Sequence, residues 1–333
     1  MINPWLQFII CAGIIVLAGS RLTRSAAVVA ENTGLGTVWV GVLMLPLATS
    51  LPELVTTLRA VAINAPDLAM GNILGSCLYN LALLAVIDLL EGRGALTARV
   101  NQGHIITASL SIITICIASI AMLGIVSLPI GWVGAETLII ALVYIFGGRL
   151  LYRYEKKSLP SISAGIEATA SGKPSSTGQA LLQFIIAAGF IVVAGVLLTD
   201  ASDQIAVITG LGHTFVGSIL LAVSTSLPET VTTIAAVRLG YTDMAVANVF
   251  GANFMNLFIV FVADLFYIHA PLLYAVSESQ LLAAVMVIFI STVMVFGLTY
   301  RSERKIGRIG YDTLLVVAVY IITVFLLYKS GGN

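Results

Sequence analysis

Two glutamates, Glu53 and Glu229, lie near the middle of long apolar stretches that contain no lysine or arginine at a similar depth. If those stretches cross a membrane, each ionised carboxylate costs about 2.5–3.5 kcal/mol to insert. A bound cation would neutralise both charges. The structural alternative is a pair of protonated carboxyls that hydrogen-bond across a helix interface. The neighbouring residues favour the cation.

Prolines interrupt the backbone beside both glutamates. Pro52 and Pro228 have no amide N–H, so the carbonyls of Ala48 and Ser224 lose the donor that a regular helix would supply. Pro46 adds a further break in the first stretch only. Broken backbone at membrane depth is tolerated where it lines a cavity, and the released carbonyls there are candidate ion ligands.

Hydroxyl groups accompany the two carboxylates. Thr49 lies four residues before Glu53 and Thr225 lies four before Glu229, so each hydroxyl shares a helix face with its carboxylate. Carboxylate, hydroxyl and carbonyl oxygens, without a soft ligand among them, suit hard cations such as Ca²⁺ or Na⁺.

A second polar stripe follows in the next apolar stretch of each half. Asn72, Ser76 and Asn80 recur every four residues, and Asn248 and Asn256 occupy the matching positions later in the chain. Asn80 and Asn256 can offer amide oxygens to a cation. Asn72 and Asn248 can either do the same or hydrogen-bond across helices, and the pattern favours neither role.

The elements that must position these groups follow from composition. Hydrophobic residues make up 59% of the 333 residues and charged residues 10%, against about 45–50% and 25% in an ordinary soluble protein. The chain is therefore predicted to be an all-α integral membrane protein. Its zero net charge leaves no basic surface for nucleic acid. The three cysteines lie in apolar segments and indicate neither a metal site nor a disulfide framework.

Ten apolar segments are candidates for membrane-spanning helices, which need about 20 residues each. They cover residues 5–23, 37–63, 66–90, 103–123, 131–151, 180–199, 211–238, 241–267, 278–299 and 308–328. The longest interruption, 152–179, is rich in Ser, Gly and Lys. It is predicted to be a flexible linker.

Lysine and arginine are distributed unevenly between the two predicted sides. Of the 16 basic residues, 14 fall on the side of the linker, and only Arg59 and Lys329 fall on the other. By the positive-inside rule, the linker is expected in the cytoplasm and both termini outside. The first segment lacks a positively charged start and is predicted to be a retained span. The expected location is the plasma (inner) membrane.

The chain contains an internal repeat. Residues 6–90 align with residues 182–266 without gaps, and about 40 of the 85 positions are identical. The strongest block is Thr49-Ser-Leu-Pro-Glu53 against Thr225-Ser-Leu-Pro-Glu229. Beyond residue 90 the identity fades, although the positions of the remaining predicted spans still match.

The repeat predicts a symmetric architecture. Residues 1–151 and 180–333 would each hold five spans, and an odd number makes the second half enter the membrane from the opposite side. Two inverted five-helix repeats are typical of secondary transporters, whose substrate site lies at the midplane between the repeats. A channel or a structural membrane protein could also be duplicated, so the repeat alone does not decide the function.

Four other acidic residues form two aligned pairs at the ends of the third and eighth predicted spans. Asp67 and Asp243 precede these spans and are expected to be N-caps. Asp88 and Asp264 lie near the far ends, where anchoring at the membrane interface is a simpler role than ion binding.

The paired motifs resemble the two α-repeats of the cation/Ca²⁺ antiporter superfamily. The resemblance rests on the two Thr-Ser-Leu-Pro-Glu blocks, followed in the first half by Gly71-Asn-Ile-Leu-Gly-Ser76 and Asn80. The short linker and ten spans are most similar to its prokaryotic Na⁺/Ca²⁺ exchangers. The resemblance covers essentially the whole chain, and two motifs in register are far more specific than one.

The resemblance implies roles for particular residues. Glu53 and Glu229 would be the carboxylates shared by Ca²⁺ and Na⁺. Further oxygens would come from the side chains of Thr49, Ser50, Ser76, Asn80, Thr225, Ser226 and Asn256, and from the carbonyls of Pro46 and Ala222. The chain departs from the family at two positions, because many relatives have an acid in place of Asn256 and a serine in place of Ala252.

The expected function is secondary exchange of Ca²⁺ for Na⁺ by alternating access, in calcium homeostasis. We expect no enzymatic activity, no cofactor other than the transported ions, and no partner other than the lipid bilayer. The nearest alternative is an antiporter that uses H⁺ or K⁺ or carries another divalent cation, which the missing acid at Asn256 favours. A passive cation channel is the alternative of another class, but it would not require an inverted duplication with a break in both halves.

Overall fold

The computed structural model describes residues 3–92, 95–124, 128–162, 176–209, 223–307 and 309–331, which are mainly helical. The helices are α1 Pro4–Thr33, α2 Thr37–Trp39, α3 Leu45–Thr49, α4 Leu51–Ala62, α5 Pro66–Glu91, α6 Leu96–Arg99, α7 His104–Met122, α8 Ala135–Ile162, α9 Thr177–Ile208, α10 Leu227–Arg238, α11 Thr242–Phe266, α12 Ser279–Tyr300 and α13 Tyr311–Gly331. A π-helical segment, Val40–Met44, joins α2 to α3, and Leu272–Tyr274 forms a 3₁₀ turn. Two antiparallel hairpins pair β1 Pro129–Ile130 with β2 Val133–Gly134 and β3 Lys305–Ile306 with β4 Ile309–Gly310.

The helices account for the predicted apolar segments. Within the described residues, seven helices are long and apolar enough to cross a membrane, and the segments Thr37–Thr49 and Leu51–Ala62, bent by 47°, make an eighth if they form one span. Every predicted segment contains helix, although 211–238 is described only from residue 223. A mainly helical, multi-pass membrane protein is thus confirmed, whereas the count of ten spans stays a prediction.

Helices extend further than the apolar segments. The predicted linker is partly helical, because α8 continues to Ile162 and α9 begins at Thr177. Helix α1 continues beyond residue 23, so Arg21 and Arg24 lie on a helix and not in a loop. Hydropathy indicates only which part of a helix lies in the membrane. Arginine, lysine and glutamate are good helix formers, so a helix can continue beyond the end of its apolar segment.

The two aligned helices α1 and α9 pack against each other in opposite directions. The Gln7 side chain near the start of α1 donates to the carbonyl of Leu197 in the second half of α9, at 2.9 Å. At the opposite end of the pair, Arg21 of α1 and Gln183 of α9 line one cavity. An antiparallel pairing of equivalent helices is the arrangement expected of inverted repeats.

Two aligned glycines bring these long helices close to the broken helix of the other half. A Cβ atom on Gly19 of α1 would lie 2.7 Å from Cγ1 of Val231 in α10. A Cβ atom on Gly195 of α9 would lie 2.5 Å from Cγ of Pro52 in α4. A side chain at either position would force its neighbour to shift, so glycine permits both close contacts.

The structural repeat continues past the region of sequence identity. The first hairpin pairs Pro129 with Gly134, and the second pairs Lys305 with Gly310, which are equivalent positions when the gapless alignment of the two halves is extended. The helices that follow the hairpins, α8 and α13, also begin at equivalent positions, Ala135 and Tyr311. The two halves therefore share a fold over a longer range than their identical residues indicate.

Two buried aspartates fasten the hairpins across the halves. Asp88 accepts a hydrogen bond from the Gly310 amide at 2.8 Å, and Asp264 accepts one from the Gly134 amide at 2.9 Å. Both aspartates are fully buried, so the prediction of anchors at the membrane interface is wrong. The two aspartates have the same structural role in opposite directions. Asp88 of the first half binds the hairpin of the second half, and Asp264 of the second half binds the hairpin of the first.

The predicted N-caps are also corrected by the structure. Asp67 and Asp243 lie in the first turns of α5 and α11, inside the helices and not at the capping position. Their carboxylates accept hydrogen bonds from the backbone amides of Ser277 and Asn101, at 2.7 and 2.6 Å. The negative charges still favour the helix N-termini, but they connect each helix to a distant segment.

The π-helical segment Val40–Met44 packs closely on α11. A Cβ atom on Gly251 would lie 2.3 Å from the Val42 carbonyl oxygen and 2.5 Å from the Val42 Cα. Because the obstructing atoms are backbone, a small rotamer change cannot relieve the overlap. Gly251 thereby sets the distance between α11 and the segment that leads into the first helix break.

Gly251→Ala is therefore expected to destabilise the protein by about 1–3 kcal/mol, the usual cost of overpacking a core. The measurement is thermal unfolding of the purified protein in detergent. Gly13→Ala is the matched control, because a Cβ atom there meets no described atom within 4 Å. Equal unfolding temperatures for the two variants would contradict the proposed close contact.

Candidate cation site

Ser50 and Ser226 mark a break at the same place in each half. Ser50 has φ −88° and ψ 11°, and Ser226 has φ −90° and ψ 10°. Pro52 and Pro228 each occupy the first turn of the helix that follows, where the missing amide removes no helical hydrogen bond. The prolines therefore start a new helix after each break, which places Glu53 and Glu229 in the first turns of α4 and α10.

The two glutamates are buried and held by the opposite half. Glu53 is 0% exposed and Glu229 is 1% exposed. The Ser226 hydroxyl donates to Glu53 Oε1 at 3.1 Å, and the Ser50 hydroxyl donates to Glu229 Oε1 at 2.9 Å. These reciprocal bonds bring both helix breaks and both carboxylates to one place between the halves.

Other predicted hydroxyl ligands surround this pair. The Ser76 hydroxyl on α5 lies 3.2 Å from the Ser226 hydroxyl. The Thr49 hydroxyl donates to the Leu45 carbonyl at 3.2 Å, and its side chain also lies within hydrogen-bonding reach of Glu229. Thr225 is completely buried. The position equivalent to Ser76 is Ala252, so the second half contributes no hydroxyl there.

Several buried acceptor oxygens meet no hydrogen-bond donor within the described part of the chain, and four of them belong to predicted ligands. These four are Oε2 of Glu53, Oε2 of Glu229, Oδ1 of Asn80 and Oδ1 of Asn256. A buried polar group without a partner costs about 1–3 kcal/mol, and a charged one costs more. Ligation of a cation by these oxygens would remove that cost, and they are the oxygen types that Ca²⁺ and Na⁺ prefer.

The two amides are oriented by their nitrogen atoms. Asn80 donates through Nδ2 to Oδ1 of Asn253 at 3.1 Å, and Nδ2 of Asn256 lies 3.8 Å from the Cys77 sulfur. Asn253 in turn donates to the Cys77 carbonyl at 3.2 Å. These contacts occupy the amide N–H groups and leave the oxygens of Asn80 and Asn256 available.

Sequence reasoning missed Asn253, although it positions a predicted ligand. Its equivalent in the first half is Cys77. Because the two residues differ, the alignment of the two halves, which identified the other candidate ligands, did not identify Asn253. The remaining signal was an asparagine in the middle of an apolar span, three residues before Asn256. A buried amide in such a position needs hydrogen-bonding partners.

Asn72 and Asn248 take the cross-helix role that the sequence left open. Asn72 donates to the Thr57 hydroxyl at 3.1 Å, and Asn248 donates to the Thr233 hydroxyl at 3.0 Å. These equivalent bonds connect the helix after each break to the long helix that follows it. Both asparagines therefore stabilise the broken helices from within their own half.

Two predicted carbonyl ligands have different outcomes. The Pro46 carbonyl accepts a hydrogen bond from the Ser50 amide at 2.9 Å, which uses one of its two acceptor positions. Ala222 lies outside the described residues, so its role stays a prediction.

Within the described ranges, no group of three or more His, Cys, Asp or Glu side chains could hold a metal ion. The charge of the site therefore rests on the two glutamates.

Comparison with known proteins relates this arrangement to a family. The family model described as sodium/calcium exchanger protein matches residues 3–148 and 179–329. The chain is 25% identical over 286 residues to the uncharacterized membrane protein MJ0091 of Methanocaldococcus jannaschii, covering 86% of this chain and 85% of the relative. It is 32% identical over 151 residues to the sodium/calcium exchanger MaX1 of Methanosarcina acetivorans, covering 42% and 41%.

The fold has a solved counterpart. A structure of the sodium-calcium exchanger NCX_Mj, soaked with Na⁺ and Ca²⁺, matches with a TM-score of 0.73 at 20% sequence identity. The match covers 98% of this chain and 98% of the other. At this identity the likeness establishes a shared fold.

Proposed function

Because the chain belongs to the sodium/calcium exchanger protein family, we propose that it is a secondary antiporter that exchanges Ca²⁺ for Na⁺. The observation that supports this most directly is the reciprocal pair of buried glutamates, each bonded by the serine of the other half. The family consists of exchangers and not of catalytic enzymes, and the site contains oxygen ligands suited to transported cations.

The charge of the site provides a mechanism for coupled exchange. One Ca²⁺, or two Na⁺, would neutralise the two carboxylates of Glu53 and Glu229. Without a cation, each ionised carboxylate would cost about 2.5–3.5 kcal/mol at the membrane centre. An empty carrier with both carboxylates ionised would therefore reorient slowly, so Ca²⁺ moves in one direction only when Na⁺ returns in the other. The remaining oxygen ligands of the cation would come from two carbonyls and from seven side chains. These are the carbonyls of Pro46 and Ala222 and the side chains of Thr49, Ser50, Ser76, Asn80, Thr225, Ser226 and Asn256.

We propose that ten spans form two inverted repeats, 1–151 and 180–333, joined by the linker 152–179. The antiparallel contact of α1 with α9 and the equivalent hairpins support this arrangement. The distribution of lysine and arginine supports a cytoplasmic linker, external termini and insertion in the plasma membrane.

Reconstitution of the purified protein in liposomes tests the proposed exchange. Ca²⁺ uptake is followed under separate outward gradients of Na⁺, K⁺ and H⁺, with protein-free liposomes as the control. We expect uptake to follow the Na⁺ gradient. Strict dependence on the H⁺ or K⁺ gradient, with indifference to Na⁺, would instead support the second candidate, an antiporter with another coupling ion. Asn256 favours that candidate, because a third carboxylate is missing there. Ca²⁺ flux without any coupling ion would indicate a channel.

A further inference from the structure

A cavity of about 550 Å³ lies between α1 and α9, apart from the residues of the cation site. One part of its lining is polar and basic and includes Arg21, Arg24, Ser25 and Gln183. The remainder is mainly apolar and includes Leu17, Ile186 and Phe190. All three of these apolar side chains are more than half exposed on the outer surface of the helix pair.

The polar and apolar parts are ordered along the helices. Arg21 and Arg24 lie in the second half of α1, roughly 25–30 Å from its start at a rise of about 1.5 Å per residue. A hydrocarbon core of about 30 Å places such residues near the opposite membrane interface. Leu17 and Phe190 then face the acyl chains, so the cavity joins a basic interfacial end to an apolar membrane face.

The two arginines have no assigned role within the protein. No hydrogen bond or ion pair joins Arg21 or Arg24 to another side chain among the described residues, and both are exposed. The equivalent residues of α9 are Leu197 and Asp200, and Asp200 forms an ion pair with Arg59. The basic pair is therefore not required by the symmetric packing of the two halves.

We propose that this cavity binds an anionic phospholipid, with its phosphate between Arg21 and Arg24. The planar arginine side chains donate paired hydrogen bonds to phosphate oxygens, and Gln183 can donate a further one. One acyl chain would lie along Leu17 and Phe190. Basic pockets between membrane helices are suited to such headgroups. A soluble anion would satisfy the arginines but would leave the apolar wall without a ligand.

Lipid binding to the purified full-length protein in detergent tests the proposal. Native mass spectrometry and thermal unfolding are measured with dioleoyl phosphatidylglycerol, dioleoyl phosphatidylcholine and inorganic phosphate. The variant is Arg21→Gln combined with Arg24→Gln. The matched control is Arg153→Gln with Lys156→Gln, which removes two exposed charges from the end of α8 and does not alter the cavity.

We expect phosphatidylglycerol to bind and stabilise the wild type and the control, whereas phosphatidylcholine and inorganic phosphate do neither. The double arginine variant should bind phosphatidylglycerol about thirtyfold more weakly. If that variant does not fold, Arg21→Gln and Arg24→Gln alone should each weaken binding severalfold. Equal phosphatidylglycerol binding in wild type and variants would overturn the proposal. Equal stabilisation by inorganic phosphate would also overturn it, because the ligand would then be a soluble anion.

Discussion

Glu53→Gln and Glu229→Gln are each expected to reduce Na⁺-driven Ca²⁺ uptake by at least about thirtyfold. Removal of one member of a buried, hydrogen-bonded charge pair typically costs about 2–5 kcal/mol, and each 1.4 kcal/mol is about tenfold in affinity. A glutamine keeps the size and one oxygen of the side chain, and it can still accept the hydrogen bond from Ser226 or Ser50. A loss of Ca²⁺ uptake in these variants would therefore result from the missing negative charge and not from a change in side-chain size.

Ca²⁺ flux into liposomes and Ca²⁺ binding to the detergent-purified protein measure this effect. Glu136→Gln is the matched control, because Glu136 is also buried but contacts Tyr274, away from the site. Thermal unfolding should show folded variants, since a neutral side chain is cheaper to bury than a carboxylate. Undiminished Ca²⁺ uptake by either folded glutamine variant would place the transport site elsewhere.

Asn256→Asp should produce the second large effect, a change in Na⁺ affinity and in the pH dependence of exchange. The amide oxygen of Asn256 is buried without a donor among the described residues, as are Oε2 of Glu53 and Oε2 of Glu229. Two unit charges about 4 Å apart interact by about 4 kcal/mol at an effective dielectric constant of 20. A third carboxylate should therefore strengthen Na⁺ binding by roughly tenfold or more and link transport to proton uptake. Ca²⁺ affinity should change less, because two carboxylates already neutralise that ion.

The measurement is Na⁺-driven Ca²⁺ flux over a series of Na⁺ concentrations and pH values. Asn64→Asp is the control, because it adds the same charge at the exposed turn after α4, where the residue accepts a hydrogen bond from Tyr267. Coincident profiles for wild type and Asn256→Asp would show that Asn256 does not line the site.

The sequence singled out the parts of the candidate site that the two halves share, which the structure brings together. Glu53 and Glu229 were identified because an ionised carboxylate in an apolar span raises the free energy of membrane insertion. Their alignment in the internal repeat gave a second, independent reason to select them. The same alignment identified Ser50 and Ser226 through the family motif. Residues with equivalent roles in the two halves occur twice in the chain, at aligned positions, and can therefore be recognised from the sequence.

Features that depend on three-dimensional proximity could not be predicted in this way. Asp88 and Asp264 were correctly paired but given the wrong role, because hydropathy places them near span ends without showing which backbone amides they meet. Asn253 aligns with a cysteine, Cys77, so the internal repeat did not single it out. The π-helical segment Val40–Met44 has no composition that distinguishes it from regular helix, and its close packing against Gly251 appears only in three dimensions.

The crossed contacts between the halves are those of a two-fold symmetric dimer whose subunits have been joined into one chain. In such an interface, residue i of one subunit meets residue j of the other, and j meets i, as Ser50, Glu229, Ser226 and Glu53 do. A homodimer must change both copies of a residue together. A fused chain can change one, so Cys77 differs from its equivalent Asn253, and the hydroxyl of Ser76 is matched by the methyl group of Ala252. Fusion therefore lets a symmetric scaffold evolve a candidate ion site with two chemically different sides.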